Sequence, residues 1–347
     1  MLAALAVTAT LAVQQPVLAS PSRAAITTAP QVIPDSTLRP AKARRVLSLG
    51  AYWGGRYNTP SGEPVTVYVS DGYQQDQAIP QRWANFLDSL VHGPELSQVT
   101  AYLAPLDEVE TICGFEALAC YSPQDSLLVS PGDPPAADIS AEALVTHEYG
   151  HHVAAHRSNP PWPAVDYGTK RWASYTQVCS KTRSGKLHPG AESLPFYTLN
   201  PGEAFAESYR VLNQHKLGLP ETAWDIVDQS LYPSPEALSL LEQDVTSPWT
   251  KPTVTAYRGS LRGGAKSRTF TVTTGLDGSL RLDLRASSRV RLRFRVTLAS
   301  GKALSNTTVA AAHDDVVSTT ICGQRSYSVR VSRIRGAGAF TLSVTKP

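Results

Sequence analysis

The densest chemistry in the chain is His147-Glu148-Tyr149-Gly150-His151. On an α-helix, positions i and i+4 share one face, so both imidazoles can reach a single cation. Glu148 stands beside them and can take a proton from a water on that cation. Two imidazoles suit zinc, and a catalytic zinc usually holds three protein ligands and one open position. A third ligand must come from elsewhere.

His152 and His156 are also four residues apart, but they are rotated by about 100° around the same helix. They cannot easily complete the first site, and a second metal on that pair is the lesser reading. A histidine from an extended segment after the helix is disfavoured, because Arg157 stands where it would be needed. The better source is Asn200-Pro201-Gly202-Glu203-Ala204-Phe205-Ala206-Glu207. Glu203 and Glu207 share a helical face. One can bind metal while the other accepts the free ring N–H of a ligating histidine and fixes its tautomer.

HEYGH followed some fifty residues later by GEAFAESYR resembles the gluzincin zinc metallopeptidases, those of the lethal-factor type in particular. The likeness is specific only over the two motif helices and their connection. More loosely, residues 50–247 are similar to secreted bacterial proteins with an HEYGHH motif. The resemblance implies a zincin-like catalytic domain with one Zn2+ on His147, His151 and Glu203. It further implies Glu148 as general base, acting on the metal's water, and Glu207 as the carboxylate behind a ligating histidine. Tyr197 would support the oxyanion of the reacting peptide bond, with His188 as its alternative, and Glu207 or Asp166 remain alternatives to Glu203 as ligand. Asp125 to Ser130, just before the motif helix, is the strand expected to pair with an extended substrate.

The elements that must position these residues are legible in part. Pro64–Ser70 alternates as a strand, and residues 79–91 carry apolar side chains at helical spacing. Further strands are expected over 99–103 and 125–130. Asp138 or Ser140 can cap a helix running to about Ala155, and Pro201 suits the first position of a helix reaching about Leu212. These make residues 63–247 an α+β domain, a small sheet with an active-site helix and a ligand helix. Trp162 and Trp172 read as core before cleft, and Gly150 as the point where another element packs closely.

From 252 to 347 the period changes to two, as in Arg291-Leu292-Arg293-Phe294-Arg295-Val296, which predicts an antiparallel all-β sandwich with arginines outward. Gly336-Ala337-Gly338-Ala339-Phe340-Thr341-Leu342-Ser343-Val344 resembles the pre-peptidase type of β-sandwich appended to secreted peptidases. This stretch holds 13 Arg and 3 Lys against 4 Asp and no Glu, a net +12. The rest of the chain holds 16 basic and 25 acidic residues, a net −9. The overall +3 conceals that division. The basic module can attract an anionic cell-envelope polymer, although outward charges also discourage strand edges from pairing. Nothing in it suggests specific nucleic-acid binding.

With 347 residues, 42% of them hydrophobic and 18% charged, the chain is neither disordered, collagenous nor a coiled coil. Leu2–Val13 is a twelve-residue apolar run, too short to span a bilayer, followed by Val17-Leu18-Ala19. Residues 1–19 therefore read as a signal peptide. Residues 20–62 read as a linker or short pro-segment with a packed patch at 52–55. The mature chain is expected to lack a transmembrane segment, to be secreted or associated with the cell surface, and to be monomeric. Four cysteines fit an oxidising compartment. Cys113 and Cys120 form the natural local pair, which leaves Cys179 with Cys322, and no Cys-x-x-Cys spacing favours a metal instead.

Two functions follow. One is a secreted zinc metallopeptidase cleaving peptides or proteins, an endopeptidase. The other is a catalytically inactive zincin-like protein that docks on the envelope through its basic sandwich.

Overall fold

The structure is a computed structural model and describes residues 52–224, 226, 228–286, 290–298, 303, 309–311, 315–323 and 325–347. The expected signal peptide, 1–19, lies outside the described residues, as does most of the expected linker. The end of that linker is corrected: Tyr52–Asn58 forms a strand, β1, paired antiparallel with β2, Pro64–Ser70. Its glycines concealed it, because glycine dilutes a strand pattern. Gly54 is required there, since its φ is +113° and a Cβ would run into the Val67 carbonyl oxygen.

β3 (Thr100–Leu103), β4 (Cys120–Ser122) and β5 (Leu127–Ser130) complete a mixed sheet ordered β1-β2-β3-β5-β4. The central strands β2, β3 and β5 are parallel, and β4 returns antiparallel at the edge. One face holds Val65, Val67, Val69, Ala101 and Leu128 against helix α1 (Ala78–Ser89) and the motif helix. The opposite face packs Tyr102, Leu127 and Val129 against helix α2 (Leu106–Cys113). Burial on both faces explains why β5 reads as a continuous apolar run. β5 is not the substrate strand expected from sequence, because β3 and β4 occupy both its edges. The sheet edge on that side belongs to β4, which Cys113–Cys120 ties to the end of α2.

The motif helix, α3, runs from Ala141 to Ala155. Ser140 caps it, its hydroxyl accepting from the Ala143 N–H at 3.1 Å. Residues 143–154 are all buried, so helical amphipathicity could not have located this helix. At its far end Arg157 donates to Glu95 Oε2 at 2.7 Å and to the carbonyls of Asp244 and Val245. The stretch from 156 to 200, irregular by sequence, holds a short pair β6 (Ser158–Asn159) and β7 (Trp162–Pro163). Three short helices follow: α4 (Ala164–Tyr167), α5 (Lys170–Tyr175) and α6 (Val178–Arg183). Trp172 is core, edge-on to Phe205 with ring centroids 5.3 Å apart, while Trp162 stacks on Tyr167.

Helix α7, Pro201–Leu217, is about a turn longer than its sequence pattern suggested. It lies directly on α3, and Gly150 is where they meet: a Cβ there would stand 2.9 Å from Ala206 Cα. The obstacle is backbone, so it cannot swing aside. Gly150→Ala should therefore lower stability by about 1–2 kcal/mol, overpacking outweighing the better helix propensity of alanine. A fall in Tm of a few degrees is the expected result in thermal unfolding. Helix α8 (Pro235–Thr246) closes this half.

The C-terminal half is a sandwich of two four-stranded antiparallel sheets among the described residues. One is ordered β13-β10-β15-β8: Asp315–Ile321, Gly278–Ala286, Gly338–Lys346 and Thr253–Leu261. The other is ordered β12-β11-β14-β9: Val309–Ala311, Arg291–Leu298, Arg325–Arg335 and Ser267–Thr274. Leu280, Leu282, Leu284, Leu292, Phe294, Val329 and Leu342 fill the space between them.

Cys179–Cys322 joins α6 to this module, as the cysteine arithmetic predicted. Around it, the Asp277 N–H donates to Ser174 Oγ at 2.8 Å, and Arg183 Nη2 donates to the Thr320 carbonyl at 3.1 Å. Lys170, 1% exposed, also sits at this junction. It donates to the Pro160 carbonyl at 2.8 Å and lies 4.9 Å from the Trp249 ring centroid. Burial lowers its pKa to about 8 against the pull of Asp277 and Asp244. Asp277, 2% exposed, is pushed up to about 6 by burial, although the Gly323 N–H and Lys170 oppose the shift.

Since the Asp277 folded-state pKa is raised, the native chain holds that proton from pH 3.8 up to about 6. Stability should therefore fall as pH rises through that window. Asp277→Asn removes this dependence. The Tm of the variant relative to wild type should climb by about 3–5 °C across the window. A constant Tm difference across the window would contradict the assignment.

Candidate metal centre

His147 and His151 come from the middle of α3, and Glu203 from the first turn of α7. Helix periodicity places the two imidazoles on one side of α3, and the contact at Gly150 sets that side against α7. Glu203 Oε2 stands 3.3 Å from His147 Nε2 and 3.2 Å from His151 Nε2. One potential ligand atom from each residue lies within 4.8 Å of the others, and all three residues are buried. A tetrahedral zinc with bonds of about 2.0–2.2 Å has ligand–ligand edges of about 3.3–3.6 Å. Two nitrogens and a carboxylate oxygen at these separations fit a divalent cation.

Glu207, one helical turn after Glu203, approaches His147 from behind. The Nδ1–H of His147 donates to Glu207 Oε1 at 2.8 Å, which directs the Nε2 lone pair toward the cluster. Burial pushes the Glu207 carboxyl up, but the charge and hydrogen bonds of Arg210, with the contact to His147, outweigh it and hold the pKa down at about 2. Arg210 donates through Nε to Oε1 at 2.9 Å and through Nη2 to Oε2. The carboxylate stays ionised, as an acceptor for the imidazole must. Between Glu203 and Glu207, the geometry makes Glu203 the residue that shares the cluster and Glu207 the one that orients it.

Two contributors escaped sequence reasoning. Asn200 caps α7: its Oδ1 accepts from the Gly202 N–H at 3.0 Å and its Nδ2 donates to Glu203 Oε1 at 3.3 Å. The signal was present in the Asn-Pro pair that opens the helix. Arg210 carried only the weak signal of a basic residue three positions after an acid. Gly202 is needed because a Cβ would stand 2.5 Å from the Val165 carbonyl oxygen.

Tyr197, buried on the short turn Tyr197–Leu199, donates its hydroxyl to Glu203 Oε2 at 3.3 Å. His188 instead packs its ring on Phe196, with centroids 4.3 Å apart. Asp166 lies beside the centre without joining it. Burial and the charges of Glu192 and Glu203 raise its pKa, and His151 lowers it. Glu148, 0% exposed, sits on α3 three residues before His151 and so on the same side.

His152 and His156 hold no second cluster among the described residues. The Tyr121 hydroxyl lies 2.9 Å from His152 Nδ1, and His152 Nε2 lies 2.9 Å from the Glu95 carbonyl. The carbonyl can only accept, so the proton sits on Nε2 and Nδ1 accepts from Tyr121. Burial lowers the His152 pKa to about 3, and the ring stays neutral.

No protein-family model and no curated protein sequence matches the chain. Among solved structures, it is similar to the pre-peptidase C-terminal domain of a collagenase from Bacillus anthracis. The identity is 18%, covering 26% of this chain and 87% of that one, with a TM-score of 0.22. A mitogen from Yersinia pseudotuberculosis is 10% identical over 28% of this chain and 87% of that one, with a TM-score of 0.23. A family GH115 4-O-methyl-α-glucuronidase is 10% identical over 59% of this chain and 39% of that one, with a TM-score of 0.21. At these scores none of the three bears on activity.

Proposed function

We propose that the chain is a secreted zinc metallopeptidase with a zincin-like catalytic half, built on His147, His151 and Glu203. The observation that carries this reading is the convergence of Glu203 Oε2 on both imidazole Nε2 atoms, with Glu207 behind His147 setting its tautomer. When bound, zinc lowers the pKa of water to about 7 and polarises a carbonyl.

The side chains then divide the work. Glu148 takes a proton from the attacking water and returns it to the leaving amine as the C–N bond breaks. Tyr197 turns its hydroxyl from Glu203 to the oxygen of the tetrahedral intermediate. Asn200 and Arg210 move no proton; they hold Glu203 and Glu207 in place. A secreted location is supported by two disulfides, and no helix among the described residues is long and apolar enough to cross a membrane.

The test is metal analysis of the purified full chain together with digestion of casein, with and without a chelator. About one zinc per chain and a digest abolished by the chelator are expected. A zinc-free, inert protein would instead favour the envelope-binding reading.

A further inference from the structure

Strand register shows that the positive charge of the sandwich is not spread over it. The strands β9, β11, β12 and β14 contain eight arginines and no acid. The strands of the other sheet contain Arg258, Arg281, Arg285 and Lys346 with Asp283 and Asp315. Arg285 there pairs with Asp283 at 3.4 Å.

Within the basic sheet the arginines occupy the wrong strands for edge protection. Its edges are β12, with no arginine, and β9, with Arg268 alone; the other seven lie on the central pair, β11 and β14. Charges that prevent sheets from pairing belong on edges. Here Arg295 stands directly opposite Arg330, and Arg291 opposite Arg335 past a register shift. Such like-charged neighbours cost the fold stability. No described carboxylate forms an ion pair with any of these four or with Arg293, and all five are exposed.

We infer that this outer face is a binding surface for an extended polyanion bearing phosphate groups on a non-aromatic backbone, of the sugar- or polyol-phosphate kind. Along β11 the arginines recur every second residue, about 6–7 Å apart, and β14 runs beside it at about 4.8 Å. The cations are guanidinium forks throughout, which match phosphate oxygens two at a time. Arg330 rests Nε and Nη2 on Ser267 Oγ at 3.2 and 3.1 Å, which aims it in advance. Thr269, Thr271 and Ser332 add hydroxyls on the same side. The outward positions of β9, β11 and β14 carry no aromatic ring on which a base could stack. This surface does not depend on the peptidase reading, since the metal centre lies in the other half of the chain.

The test compares two triple variants of the full chain that lose the same charge. Arg293→Gln, Arg295→Gln and Arg330→Gln alter this face; Arg258→Gln, Arg281→Gln and Arg285→Gln alter the opposite sheet. The probe is inorganic polyphosphate, titrated at several salt concentrations, with a DNA duplex and polygalacturonate as further arms. The first variant should bind polyphosphate at least 10-fold more weakly, with a salt slope shallower by about 2. The second should change less than 2-fold, and the Tm of the first should hold or rise by about 1–2 °C. Equal weakening of both variants would reduce the effect to net charge and overturn the assignment. Tighter binding to the duplex or to polygalacturonate would overturn the ligand class. A Tm drop in the first variant would return these arginines to the fold.

Discussion

Glu148→Gln is expected to keep one metal per chain and to lose peptide cleavage by about 10²–10⁴-fold. The amide has the shape of the carboxylate but cannot accept a proton from water and return it to an amine. Glu148 is buried on the same helix as the two histidines and is not one of the three residues of the candidate metal group. Its replacement should therefore leave metal content untouched. The fall should appear in kcat, with KM little changed, because the proton transfer belongs to the transition state. Retained zinc with undiminished cleavage would remove the proposed chemistry, and retained zinc with no cleavage even in wild type would move the protein to the binding class.

The second large effect concerns the metal itself. Glu203→Ala removes one of three converging ligand atoms and should weaken zinc binding on the order of 10³-fold in a competition assay. Glu207→Gln keeps all three, but it weakens the support behind His147 and removes the charge paired with buried Arg210. A loss of about 10–100-fold is expected there. The rank order is the informative part. If Glu207→Gln proved the more damaging, the roles of the two carboxylates would be exchanged, despite Glu203 Oε2 lying 3.2–3.3 Å from both rings. Glu203→Ala should leave the chain folded, since Asn200 continues to cap α7 through its own Oδ1. Glu207→Gln should lower Tm because Arg210 stays buried opposite an uncharged amide, so its zinc affinity is compared on the folded variant.

Several elements could be read before any coordinates. The i, i+4 histidines, the alternating strand Pro64–Ser70, the Pro201 helix start and the arginine-outward strands each follow from periods of 3.6 or 2 and from capping chemistry. Cys113–Cys120 was legible because short loops close readily, and Cys179–Cys322 followed from it. Other features left no such trace. β1 was obscured by two glycines, and the short helices between 156 and 200 fall below the length at which periodicity is visible. α3, buried on every side, was legible from its Ser140 cap and histidine spacing but not from amphipathicity. The substrate strand was misplaced because a strand's neighbours, hence its free edges, are set by the sheet order.

The chain alone determined which side chains could meet a cation and on which local faces they stand, since those depend on helix pitch and residue type. Whether they meet was decided by tertiary packing: α3 and α7 approach at Gly150 and Ala206, and that approach brings Glu203 to two rings more than fifty residues away. The same division holds for the sandwich. Alternation set the arginines outward, but only strand order placed them on central strands opposite one another, because register joins residues that sequence distance keeps apart.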